Sequence, residues 1–182
     1  MSLRSYLKKM KGTTRGGPPR VSNTEILWSW IGAFLGIGGV ALVGQLFFAE
    51  HDLSLMIGSF GASAVLVYGA VRSPLAQPRN LVGGHILSAI IGVACWKLLN
   101  QHLELAEAFA VATAIAVMHA TRTLHPPGGA TALIAVIGSN KIHALGFLYV
   151  LVPATIGPLI LLVVALVVNN IPESRRYPEI WF

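Results

Sequence analysis

The chain has 182 residues, 54% of them hydrophobic and only 11% charged, with a formal net charge of +6. An ordinary soluble domain carries about 25% charged residues, so a water-soluble globule is set aside. Asp, Glu, Lys and Arg are absent from residues 26–49, 53–71, 80–96, 108–121, 123–140 and 144–172. Several of these runs approach the roughly 20 apolar residues that a helix needs to cross a bilayer.

In chain order, residues 1–25 form a basic cytoplasmic leader carrying Arg4, Lys8, Lys9, Lys11, Arg15 and Arg20. Such a leader suits anionic lipid headgroups at least as well as nucleic acid, and no other feature points to nucleic acid. The run 26–49 is longer than the 7 to 15 apolar residues typical of a signal peptide and reads as a retained span. Its Gly32 and Gly36 form a GxxxG pair, which serves a homo-oligomer or packing within one subunit equally well. The runs 53–71 and 80–96 are the next spans, separated by the turn-rich stretch from Arg72 to Asn80. Cys95, the single cysteine, lies in the third span, so no intramolecular disulfide exists. Residues 105–140 read as one kinked span or two short ones, because Thr121 to Gly129 interrupts them with a charge, two prolines and two glycines. Proline lacks a backbone donor and biases its predecessor away from helix, which predicts a break before Pro126. The run 144–172 reads as one clear final helix, followed by a cytoplasmic tail, 173–182, with Arg175 and Arg176.

Lys and Arg near span ends collect on the cytoplasmic side. Six crossings put the leader, Arg72, Arg79, Arg122, Arg175 and Arg176 inside, and Glu50, Asp52, Glu104 and Glu107 outside, with Lys97 and Lys141 as the basic exceptions. Five crossings would strand Arg175 and Arg176 outside. The expected architecture is therefore an all-α membrane protein of about six transmembrane segments in the cell's inner (plasma) membrane, both termini cytoplasmic. Gly61-Ala62-Ser63-Ala64-Val65-Leu66 reappears as Gly129-Ala130-Thr131-Ala132-Leu133-Ile134. An odd number of crossings separates these segments, so the transmembrane domain 26–172 reads as two inverted three-helix repeats, about 26–99 and 105–170, with short or broken second and fifth helices. Small residues also recur wherever membrane helices pack closely, which is the simpler account of the echo.

The stretch His125-Pro126-Pro127-Gly128-Gly129-Ala130-Thr131-Ala132 resembles the signature of the HPP family of integral membrane proteins, named for that His-Pro-Pro triplet. Gly58-Ser59-Phe60-Gly61-Ala62-Ser63-Ala64, Ser73 to Asn80 and Gly83-Gly84-His85 reinforce it, so the resemblance covers roughly residues 50–170. It implies a membrane transporter, since plant and cyanobacterial relatives are associated with moving nitrite across plastid or cell membranes. Some bacterial relatives carry an appended nucleotide-sensing CBS pair; a chain ending at Phe182 is expected to lack that regulation or to take it from another protein.

A helix starting at Pro126 or Pro127 leaves the amides of Gly128, Gly129 and Ala130 without intrahelical partners at a positive dipole end, which favours anions. The Thr131 hydroxyl adds a neutral donor, and Ser59, Gly61 and Ser63 would match it in the second segment. A tight interhelical turn is the plainer reading of the same residues. Arg122 beside the proline break is a candidate anion contact or simply a cytoplasmic anchor; Arg79 is more simply an anchor, and otherwise lines the pathway with His85 and His119. His125 is the best-placed titratable group, because an imidazole beside an anion site can couple proton and anion movement.

A transporter or channel for a small inorganic anion, nitrite by resemblance, is the expected function, with membrane lipids as further partners. The alternative is a membrane scaffold or sensor whose basic leader and tail recruit a cytoplasmic protein. No Ser/His/Asp set, paired intramembrane carboxylates or HExxH motif is present, so an enzyme is not expected. Neither is a cofactor, nor a metal, given one cysteine and no compact His or carboxylate spacing.

Overall fold

The computed structural model describes residues 3–11, 16–17, 19–48 and 56–182, and all the regular elements among them are helical. They are α1 (Leu3–Met10), α2 (Asn23–Phe47), α3 (Ser59–Ala64, running on as a π-helical turn, Val65–Gly69), a 3₁₀ turn (Pro74–Ala76), α4 (Pro78–Leu99), α5 (Leu103–Ala120), α6 (Pro126–Ile137), α7 (Asn140–Leu145), α8 (Leu148–Leu151) and α9 (Ile156–Val168). Among the described residues, four stretches are long and apolar enough to cross a membrane: α2, α4, α5 and Leu148–Val168. Two apolar helices are shorter, Ser59–Gly69 and Pro126–Ile137. At 1.5 Å per residue they span about 16 and 18 Å, little more than half of a roughly 30 Å hydrocarbon core.

The break before Pro126 is present, and 105–140 forms two helices rather than one. Pro126 sits at the first position of α6, where its missing N–H costs nothing. Pro78 opens α4 in the same way, so the third helix is longer than its charge-free run. The expected single helix over 144–172 is a correction. Gly146 takes a positive φ of 50°, Pro153 removes a donor, and the apolar run divides into α8 and α9. Hydropathy alone does not report such a backbone break. Glu50 and Asp52, expected in an outside loop, lie outside the described residues, as do residues 53–55 of the second run.

Phe60, Tyr68, Leu81 and Leu161 fill the core, and small residues let the helices close on one another. On α5, Ala106, Ala110, Ala114 and Met118 form a buried stripe at helical spacing, while Phe109 and Ile115 are exposed. Gly32 and Gly36 on α2 form a groove filled by the ring of Tyr68, whose hydroxyl donates to the Leu161 carbonyl at 2.9 Å. A Cβ at Gly36 would collide with that ring. The GxxxG pair is thus used within the subunit. Exposed Trp30, Phe34, Leu42, Leu46, Val163 and Val167 suit lipid contact along α2 and α9.

One end of the bundle gathers the start of α2, the stretches before α4 and α6, and the segment after α9. Arg175 reaches Glu25, Arg72 donates to the Ser174 carbonyl, Arg79 to the Thr121 carbonyl and Asn80 to the Leu124 carbonyl. This basic end is also sealed by Tyr177, which donates to the Ala76 carbonyl, and by Gln77, whose side-chain oxygen accepts from the Glu179 amide. The tail therefore packs on the bundle rather than hanging free.

Candidate functional site

At the heart of the bundle five polar groups from three helices form a continuous hydrogen-bonded chain. His125, at the N-cap of α6, is fully buried, and its Nδ1 lies 2.8 Å from the Leu75 carbonyl. Its Nε2 lies 2.9 Å from the Ser63 hydroxyl of α3. Ser63 lies 2.8 Å from Nε2 of His85 on α4, and His85 Nδ1 lies 2.6 Å from the Thr131 hydroxyl of α6. Thr131 in turn meets the Ser59 hydroxyl at 2.9 Å, and Tyr149 donates to the Thr131 carbonyl at 3.0 Å. Ser59, Ser63, His85, His125 and Thr131 are all at most 1% exposed. The two imidazoles stand 5.1 Å apart, and the Phe60 ring packs edge-on to His85 at 5.5 Å.

The sequence positions each partner. His85 is seven residues into α4, about 10 Å along the axis from Pro78, so its ring lies beside the short helices. Gly84 and Gly128 permit the approach: a Cβ at Gly84 would meet the His125 side chain at 2.6 Å, and one at Gly128 the Gly84 carbonyl at 2.9 Å and the Ser88 hydroxyl at 2.8 Å. Gly157 likewise admits Phe60 beside α9.

The imidazole tautomers follow from the acceptors they face. A carbonyl only accepts, so His125 Nδ1 donates to Leu75; in the neutral ring Nε2 then accepts from Ser63. Ser63, having given its one proton, accepts from His85 Nε2, which leaves His85 Nδ1 to accept from Thr131. Between Thr131 and Ser59 the donor is Thr131, at 2.9 Å, so the single Thr131 hydrogen is divided between His85 Nδ1 and the Ser59 oxygen. Longer alternatives, Ser63 to the Ser59 carbonyl at 3.2 Å and Thr131 to the Pro127 carbonyl at 3.3 Å, compete less well.

Of the residues singled out in the sequence, Ser59, Ser63, His85, His125 and Thr131 come together here. Echo-equivalent Ser63 and Thr131 bond the two nitrogens of one ring, His85. Gly61 is exposed. Gly128 donates its amide to the His125 carbonyl at 2.8 Å and is wedged against α4. Gly129 and Ala130 border a groove lined by Val111, Ile115, Leu124 and Leu133, an apolar setting for their backbone. His119 is exposed on α5, apart from the cluster. Arg122 is exposed at a turn with φ of 58°, and with Arg79 and Asn80 it borders a cavity of about 110 Å³ at the basic end. Sequence reasoning missed Tyr149 and the Leu75 carbonyl. A tyrosine in an apolar run is a signal for the first, since a buried phenol needs a partner; a backbone acceptor leaves no signal. It also missed His143, which stacks on Trp96 at 3.7 Å and donates to the Val136 carbonyl.

The family model for the HPP transmembrane region matches residues 18–178. The chain belongs to the HPP family. Two curated relatives come from Dictyostelium discoideum, both named only as transmembrane proteins. One is 47% identical over 180 residues, covering 97% of this chain and 57% of the relative. The other is 44% identical over 186 residues, covering 100% of this chain and 65% of the relative. This HPP chain thus spans about 57% to 65% of the length of those relatives. No solved structure matches it.

Proposed function

We propose that this HPP-family membrane protein carries a small inorganic anion across the bilayer, with nitrite foremost, and that the anion is held by the hydroxyls of Ser59, Ser63 and Thr131 with His85 and His125. The observation that carries this reading is the buried hydroxyl–imidazole chain where the two short helices meet. Polar clusters inside membrane bundles are expensive and mark substrate pathways. Nitrite follows from the family resemblance. The arginine-rich end, with Arg72, Arg79 and Arg122, would concentrate anions at the entrance.

In the same proposal the polypeptide crosses six times, through α2, α3, α4, α5, α6 and the α8–α9 run. The contact of Glu25 with Arg175, at the two ends of that path, supports an even number of crossings. The positive charge of this end favours the cytoplasmic side of the plasma membrane. The meeting of Ser63 and Thr131 on one imidazole supports two inverted halves.

Liposomes containing the protein should take up nitrite faster than protein-free liposomes, with chloride competing poorly. Thr131→Val removes one charge-assisted donor at constant volume and should cost on the order of tenfold in flux, whereas Thr131→Ser keeps most of it. No flux of nitrite, nitrate, formate or bicarbonate would defeat the proposal in favour of the scaffold or sensor.

A further inference from the structure

The hydrogen-bonded chain has a property beyond binding: it is complete in two protonation states. In the neutral state the hydrogens from Thr131 onward point toward Leu75: Thr131 to His85 Nδ1, His85 Nε2 to Ser63, Ser63 to His125 Nε2, and His125 Nδ1 to the carbonyl. Add one proton at the Thr131 oxygen. The Thr131 hydrogen passes to His85 Nδ1, the His85 Nε2 hydrogen to Ser63 and the Ser63 hydrogen to His125 Nε2. Three hydrogens have moved one place each, no heavy-atom contact has been lost, Thr131 donates its new hydrogen to Ser59, and His125 is an imidazolium still donating to Leu75. Each of the three contacts survives with its direction reversed, so a proton gained at Thr131 becomes charge on His125, beside the Leu75 carbonyl.

Among the described residues the interior supplies no other countercharge. Arg175 is the one buried Asp, Glu, Lys or Arg among the described residues, and it is paired with Glu25 at the basic end. The groups that face the two rings are the Leu75 carbonyl from the loop before α4, Ser63 and Phe60 from α3, and Thr131 from α6; the one further titratable group at the cluster is Tyr149, on α8, which donates to the Thr131 carbonyl. An unpaired anion among them bears a large desolvation cost. An anion accompanied by a proton on the histidine pair does not.

We propose that the protein is an electroneutral proton–anion symporter, in which Thr131, His85, Ser63 and His125 relay one proton for each anion carried. This rests on the anion-transport reading above and names its coupling. Ser63 is the link between the rings.

The test uses the full chain in liposomes loaded with a fluorescent pH indicator, with potassium and valinomycin setting the membrane potential. An inward nitrite gradient should acidify the lumen with one proton per nitrite after subtraction of protein-free vesicles, and the rate should ignore the imposed potential. Flux in heavy water should be slower. Ser63→Ala should lose coupled flux by about two orders of magnitude, while Ser63→Thr, which keeps the hydroxyl, should retain it. Nitrite flux that follows the potential and moves no protons would overturn the symport and leave the transporter standing. Absence of any anion flux would overturn both. Should Ser63→Ala fail to fold, the wild-type stoichiometry and potential dependence decide alone.

Discussion

Removing the Arg175 side chain tests how the basic end is held. Its Nε donates to Glu25 Oε2 at 3.0 Å, and a terminal nitrogen lies 2.7 Å from Glu25 Oε1. The same guanidinium donates to the Glu25 carbonyl, to Ser29 at 2.8 Å and to Asn169 at 3.1 Å. Breaking a buried ion pair from one side costs about 3 to 5 kcal/mol. The Arg175 side chain is 2% exposed but that of Glu25 is 27% exposed, so water recovers part of the loss once the arginine has gone. Arg175→Met, which keeps the apolar stem volume, should therefore destabilise the protein by about 2 to 4 kcal/mol, and a double-mutant cycle with Glu25→Gln should show coupling above about 1 kcal/mol. The assay is reversible unfolding in mixed detergent micelles, with protease sensitivity of residues 173–182 as a second readout. A change below about 0.5 kcal/mol, with an unaltered digestion pattern, would mean that the pair behaves like a surface contact and that the reasoning from burial fails.

Neighbouring glycines should respond in opposite ways. Gly128→Ala meets Ser88, the Gly84 carbonyl and Met118 at 3.0 Å or less and should cost about 1 to 3 kcal/mol by overpacking. Gly129→Ala meets only Val111 at 3.9 Å and should be neutral or gain up to about 1 kcal/mol of helix propensity; equal effects in a thermal-unfolding assay would contradict the packing described. For topology, with Cys95→Ser as background, single cysteines at Ser2, Asn140 and Ser174 meet a membrane-impermeant reagent in intact cells. Only the one at Asn140 should react, and labelling at Ser174 would remove the six-crossing arrangement.

Much of the helical layout was legible because the bilayer forbids unpaired charge, so charge-free runs mark helices directly. Pro126 announced its own break for a local reason, the missing donor. Pro153 carries the same local signal, but the division at Gly146 and Pro153 was masked because Val, Leu and Ile on both sides satisfy a hydropathy window whatever the backbone does. In the buried cluster, Ser63, His125 and Thr131 were legible from the echo and the His-Pro-Pro stretch, and Ser59 from its place at the start of the second segment. That His85 bonds both Ser63 and Thr131 was not, because the partners lie 22 and 46 residues away and only packing sets the distance. The grip of Arg175 on Glu25 joins residues 150 apart, and a positively charged tail residue carries no mark of burial.

The complete burial of Ser63, His85 and His125 also sets a clock. With no solvent at either imidazole, the conformation described here is sealed, and a solute reaching the cluster must wait for helices to part. Collective helix movements take microseconds to milliseconds. Throughput on the proposed path is then governed by how often the bundle opens rather than by how fast ions diffuse to it, which makes turnover slow and saturable. A permanently open pore of the same polarity would leak; on the proposed reading, a bundle closed in this way would let a cell keep its ion gradients between transport events.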